Sequence, residues 1–108
     1  MVVSRSHLPA IIAPLVERLG IRSVVPCGSV GVKVSRIVMG KADLYVHGGA
    51  GAKRWDTCGP EAVLISAGGR FTDLAGDAID YSSADLKVRT GIVATNGALH
   101  DAVLAATA

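Results

Sequence analysis

The chain has 108 residues, 50% of them hydrophobic and 19% charged, a balance that suits one globular domain and excludes wholesale disorder. Eleven Lys and Arg against nine Asp and Glu leave a formal charge of +2, and only four residues are aromatic. A nucleic-acid polymer partner is therefore not expected, because neither a basic stripe nor a set of stacking rings is present. No apolar run reaches the length of a membrane span, and Met1–His7 lacks the basic-then-apolar order of a secretory signal. Cys27 and Cys58 have no metal-type spacing, so reduced thiols in a cytoplasmic protein are expected.

Taken in chain order, Met1–Val3 is a short β-rich start. Leu8, Ile11, Ile12, Leu15, Val16 and Leu19 recur at helical spacing, with Gly20 as a stop. Pro14 either kinks that helix or lies close to its beginning. Ser23–Cys27 is a strand leading into Gly28, and Ser29 can cap a helix with Val30, Val34, Ile37 and Val38 on one face. Gly40 ends it, Asp43–His47 is the next strand, and a Gly-rich loop follows at 48–51. Asp56 or Thr57 then caps a helix with Pro60 and Glu61 in its first turn. The apolar run Ala62–Ala67 predicts a helix buried on most sides and stopped by Gly68-Gly69. Arg70–Asp73 and Ala78–Tyr81 read as a hairpin around Gly76, Gly91–Thr95 as a buried strand, and Leu99–Ala106 as a closing helix.

The alternation predicts an α/β fold, a mostly parallel but mixed sheet flanked by helices, with residues 1–108 as one domain. Ligands of such sheets gather beyond the carboxyl ends of the strands, which directs attention to Ser4/Ser6/His7, Gly28/Ser29 and Lys53–Asp56. Each candidate has a plain structural reading beside the functional one. Asp56 is either a helix cap or a carboxylate for a metal or a substrate hydroxyl. Gly28-Ser29-Val30-Gly31-Val32-Lys33 is either a tight turn with a solvated lysine or a set of amides and a point charge for a phosphate, though not a P-loop. Ser4-Arg5-Ser6-His7 is either a capping segment or a polar cluster for a phosphate or base edge. His47 and His100 are expected to be ordinary surface or core histidines, and Cys58 a small buried thiol.

Lys53-Arg54-Trp55-Asp56-Thr57-Cys58-Gly59-Pro60-Glu61-Ala62, with Ala67-Gly68-Gly69-Arg70-Phe71-Thr72-Asp73-Leu74 and Gly76 after it, resembles the carboxyl-terminal signature of the inositol monophosphatase-like, Mg²⁺-dependent phosphatases. The wording is closest to the 3′(2′),5′-bisphosphate nucleotidase branch, as are Ser4-Arg5-Ser6-His7, Gly28–Lys33 and Gly40-Lys41-Ala42-Asp43-Leu44-Tyr45-Val46. Gly59 stands where that branch usually has Ala. The resemblance implies the carboxyl-terminal lobe of a layered α/β sandwich. It further implies Asp56 as a Mg²⁺ ligand, with Ser4, His7, Gly28, Ser29 and Lys33 as contacts to substrate, adenosine 3′,5′-bisphosphate or a related phosphate monoester. The family's other metal ligands lie on a Glu-Glu segment and an Asp-Pro-Ile/Leu-Asp-Gly-Thr motif, and neither Asp-Pro nor Asp-Gly-Thr occurs here. Asp43, Asp73, Asp77, Asp80 and Asp85 are substitutes by residue type alone. No complete catalytic set is thus expected in this chain. It is expected to be the carboxyl-terminal half of such a phosphatase, inactive alone and active only if a partner chain or a missing segment supplies the other ligands, with a nucleotide-binding module, a self-associating remnant and an inositol phosphate phosphatase as the alternatives.

Overall fold

The computed structural model describes residues 1–4, 12–47, 54–79 and 91–107, with the backbone alone at Ser4, Arg54, Trp55, Asp56 and Thr107. His7, the loop at 48–51, Lys53, and Asp80 and Tyr81 of the expected hairpin lie outside the described residues. The elements are β1 (Val2–Ser4), α1 (Ile12–Leu19), β2 (Val25–Cys27), α2 (Val30–Val38), β3 (Leu44–His47), α3 (Arg54–Ser66), β4 (Arg70–Thr72), β5 (Ile92–Thr95) and α4 (His100–Thr107). Pro14 falls in the first turn of α1, where its missing N–H costs nothing, so the described helix begins near the proline.

The sheet runs in the order β2-β1-β3-β5-β4. β1 is parallel to β2 and β3, whereas β5 is antiparallel to both β3 and β4. Of the described strands, four therefore point one way and β5 points back between β3 and β4. The expected mixed, mostly parallel α/β sheet is present, and among the described strands the reversed one is β5. Residues 77–79 carry no strand. The chain after β4 instead turns on Asp73, whose Oδ1 accepts the amides of Ala75 and Asp77 at 2.9 and 3.0 Å. That short polar side chain satisfies the local backbone and so competes with ladder formation.

The two-residue period of the strands divides the core between the sheet faces. Val2, Cys27, Tyr45, Phe71, Ile92 and Ala94 face Val34 and Ile37 of α2 and Leu64 of α3. Val3, Leu44, Val46 and Val93 face Ile12 and Leu15 of α1 and Val103 of α4. The result is three layers, with α2 and α3 on one side and α1 and α4 on the other. Gly69 lets the end of α3 meet the sheet, since a Cβ there would stand 2.6 Å from the Thr95 carbonyl oxygen and would clash with Leu64 Cδ1.

Helix α3 corrects two expectations. It starts at Arg54, so Asp56 and Thr57 are helical residues and not its cap, and Pro60 lies in its interior. Pro60 has no amide to donate to the Asp56 carbonyl four residues back. The second half of α3 is buried on one side only: Leu64 is buried, whereas Val63 and Ile65 are 55% and 54% exposed. Cys58, expected to be buried, is exposed. None of the described helices is long and apolar enough to cross a membrane.

Candidate anion site at the carboxyl edge of the sheet

The parallel run of β1, β2 and β3 brings three strand ends to one edge. Ser4 pairs with Cys27, and the pairing of Val2 with Tyr45 puts Ser4 level with His47 two residues further on. Gly28 and Ser29 follow β2 directly at this edge. The described backbone therefore collects Ser4, Gly28 and Ser29 as the sequence predicts.

Ser29 is the one described non-glycine residue with positive φ, at φ 54° and ψ 150°. A side chain there is strained, and such strain concentrates at turns that a site requires. Its Oγ accepts the Val32 amide at 3.1 Å, capping α2 as expected. The Lys33 amide makes the first bond back along the helix, to the Ser29 carbonyl at 3.3 Å. The amides of Val30 and Gly31 thus precede any acceptor within the helix, and they carry the positive end of its dipole. Because Ser29 Oγ already accepts, its O–H is left as a donor.

Lys33 is one turn into α2, and helical side chains lean toward the helix start, so this one leans toward the same edge. It is not the solvated lysine of the plain reading, being only 3% exposed. Its Nζ stands 4.7 Å from the centroid of the Tyr45 ring. Burial pushes the Lys33 ammonium below the ordinary lysine range, and the neighbouring Cys27 opposes that shift. Among the described residues no carboxylate lies within ion-pairing distance of Lys33; the ion pair there is Arg70–Asp101, at 2.9 Å on the surface. Tyr45 is fully buried, its Oη has no hydrogen-bond partner among the described residues, and burial raises its pKa. Sequence reasoning missed Tyr45 as part of this cluster. The alternation of Leu44, Tyr45 and Val46 marks its face of the sheet, but not the lysine that covers its ring.

Asp56 is brought to the same neighbourhood by its backbone. A Cβ on Gly31 would stand 4.0 Å from Pro60 Cγ, so the first turn of α2 touches α3 one turn after Asp56. The described residues do not fit a complete divalent-cation site. No three His, Cys, Asp or Glu among them cluster. Asp73 spends an oxygen on its own turn, and Asp101 pairs with Arg70. Asp43 lies at the opposite end of β3, where its Oδ1 accepts from Asn96 at 3.3 Å. That opposite edge also holds a cavity of about 300 Å³ lined by Met1, Arg22, Asp43 and Leu99, away from the strand ends where ligands gather.

His100 is a core histidine, as expected, with 0% exposure. Thr72 Oγ1 lies 2.8 Å from its Nε2 and Thr95 Oγ1 2.9 Å from its Nδ1. Thr72 donates its hydroxyl to the Asp73 carbonyl, and Thr95 Oγ1 already accepts the Gly97 amide. The consistent pattern is a neutral imidazole in which Nε2–H donates to Thr72 and Thr95 donates to Nδ1. Burial first, and then Arg70, hold its pKa below the usual value against the opposing pull of Asp101.

The chain is 35% identical over 79 residues to the mouse 3′(2′),5′-bisphosphate nucleotidase 1, an alignment covering 73% of this chain and 26% of the mouse protein. It is 32% identical over 111 residues to the human Golgi-resident adenosine 3′,5′-bisphosphate 3′-phosphatase, covering 96% of this chain and 30% of that protein. Among solved structures, CysQ from Bacteroides thetaiotaomicron, a bacterial member of the inositol monophosphatase family, superposes with a TM-score of 0.72 at 29% identity, over 88% of this chain and 36% of CysQ. The Thermotoga maritima IMPase shares the fold, with a TM-score of 0.72 at 22% identity, over 98% of this chain and 39% of that one. The chain thus spans between a quarter and a third of the length of these curated relatives. Residues 2–108 match the model of the Inositol monophosphatase family, and the chain belongs to that family.

Proposed function

We propose that this chain is the carboxyl-terminal lobe of a Mg²⁺-dependent phosphatase that removes the 3′(2′)-phosphate from adenosine 3′,5′-bisphosphate, and that it is inactive alone. The observation that carries this reading is the buried Lys33 side chain beside the start of α2, without a carboxylate partner among the described residues. A buried cation is costly unless an anion completes its environment, and a phosphate monoester supplies about two negative charges. The Val30 and Gly31 amides and the Ser29 hydroxyl would bind its oxygens, with Lys33 as the point charge. Ser4 and His7 would meet the nucleotide. The names of the bisphosphate nucleotidase relatives support this substrate over an inositol phosphate.

Asp56 would contribute one carboxylate to a metal site whose remaining ligands come from another chain segment. Mg²⁺ prefers several oxygen ligands, and the described part of this chain supplies no such set. Adding the preceding portion of a bisphosphate nucleotidase to this chain should restore Mg²⁺-dependent phosphate release from adenosine 3′,5′-bisphosphate. Release by this chain alone, or none in any complemented mixture, would refute the assignment.

A further inference from the structure

We propose that Tyr45 is a positioning residue for the anion site: the face of its ring holds the Lys33 ammonium at the carboxyl edge of the sheet, where an anionic ligand meets it. The inference rests on the phosphate-binding reading for its ligand, but on the geometry of two side chains for its substance.

The pairing itself is the first observation. Nζ of Lys33 is 4.7 Å from the ring centroid, inside the range over which a ring quadrupole attracts a cation. The second is the shortage of other stabilisation. Lys33 is 3% exposed, and no carboxylate among the described residues pairs with it. The third is Tyr45 Oη, buried and without a hydrogen-bond partner among the described residues. A tyrosine selected for its hydroxyl would have that hydroxyl bonded. The ring is therefore the part of Tyr45 that the site uses.

Position adds to this. Tyr45 lies on β3 two residues before His47, the last residue of the strand, on the sheet face that α2 covers. At about 3.3 Å per residue the ring sits roughly 7 Å below the edge. A lysine rooted one turn into α2 and leaning toward the helix start passes over it. Without the ring, the same side chain could swing out to solvent, as lysines usually do.

The test replaces Tyr45 by phenylalanine and then by phenylalanines carrying one, two and three ring fluorines, which weaken the π face while keeping the bulk. Two quantities are followed in each variant: the Lys33 amine titration by NMR, and the affinity for inorganic phosphate by calorimetry. Phenylalanine should behave like tyrosine. Fluorination should lower the Lys33 pKa stepwise, because the ring favours the charged form, and should weaken phosphate binding by roughly three- to tenfold over the series. A Lys33 titration unchanged across the series overturns the proposal. A stepwise titration shift with no phosphate binding in the unsubstituted chain would keep the role of Tyr45 and refute the phosphate reading. Circular dichroism melts of each variant separate these outcomes from unfolding, and Tyr45→Leu, which removes the ring, should weaken binding at least as far as the trifluorinated variant.

Discussion

A Cβ on Gly31 would stand 4.0 Å from Pro60 Cγ, so α2 and α3 meet where each carries a site residue. Both elements follow strands that end at the same edge of the sheet, and this contact fixes the distance between the Lys33 and Asp56 backbones. Gly31→Ala should be tolerated or stabilise by about 0.5 kcal/mol, since alanine favours helix and 4.0 Å is ordinary contact. Gly31→Leu should wedge the helices apart and cost about 1–3 kcal/mol. Urea midpoints of the two variants decide this, and equal midpoints would show that the contact constrains nothing.

Ser29 combines a useful side chain with an unfavourable backbone. Its hydroxyl caps α2, yet its φ is 54°. Ser29→Ala loses the cap and keeps the strain, and should cost about 1–2 kcal/mol. Ser29→Gly also loses the cap but relieves the strain, and should cost at most a few tenths of a kcal/mol. Chemical denaturation should therefore rank glycine above alanine at this position. The reverse ranking would refute the reading of the turn.

Lys33 should be a stability liability. Lys33→Met keeps a long apolar stem and removes a buried charge, so the variant should be more stable by about 1 kcal/mol or more. Thermal and urea unfolding measure it. A lysine retained for packing or for its contact with Tyr45 alone would give a loss instead.

His100 makes the stability depend on pH with a definite sign. Its folded pKa is held below the ordinary 6.5 by burial and Arg70. Above pH 6.5 both folded and unfolded chains hold a neutral imidazole, and the full stability is present. As pH falls through 6.5 the unfolded chain takes a proton that the folded one refuses, and stability is lost. His100→Gln should lose less stability than the natural chain between pH 7.5 and 5.5. Parallel pH dependence in the two would show that the buried imidazole does not contribute. The Thr72 and Thr95 hydroxyls tie that ring to β4 and β5, so hydrogen exchange in these strands should also rise as the pH falls.

Much of this architecture is legible in the residues, for identifiable reasons. The Ser29 cap, the Gly20 and Gly40 stops and the alternation of Leu44, Tyr45 and Val46 are local features, and local chemistry decides them. The start of α3 is different. Asp56 and Pro60 carry strong N-terminal signals, yet the helix begins at Arg54 and takes the proline into its interior. Packing of this segment against α2 outweighs the missing hydrogen bond. The apolar run Ala62–Ala67 suggested burial on most sides, and the exposed Val63 and Ile65 show that one chain segment does not specify what covers it. Insertion of β5 between β3 and β4 is a long-range pairing that periodicity cannot express. The site residues came from loop placement and motif resemblance, whereas the burial of Lys33 and its ring contact needed the third dimension.

If the edge formed by β1, β2 and the start of α2 is an anion site, a phosphate ester should bind there through Lys33. Calorimetric titration with adenosine 3′,5′-bisphosphate, without added metal, tests it most directly on the natural chain and on Lys33→Met. Saturable binding that weakens as salt rises is expected, with a loss of tenfold or more in the variant. Equal affinity in the two chains would contradict it.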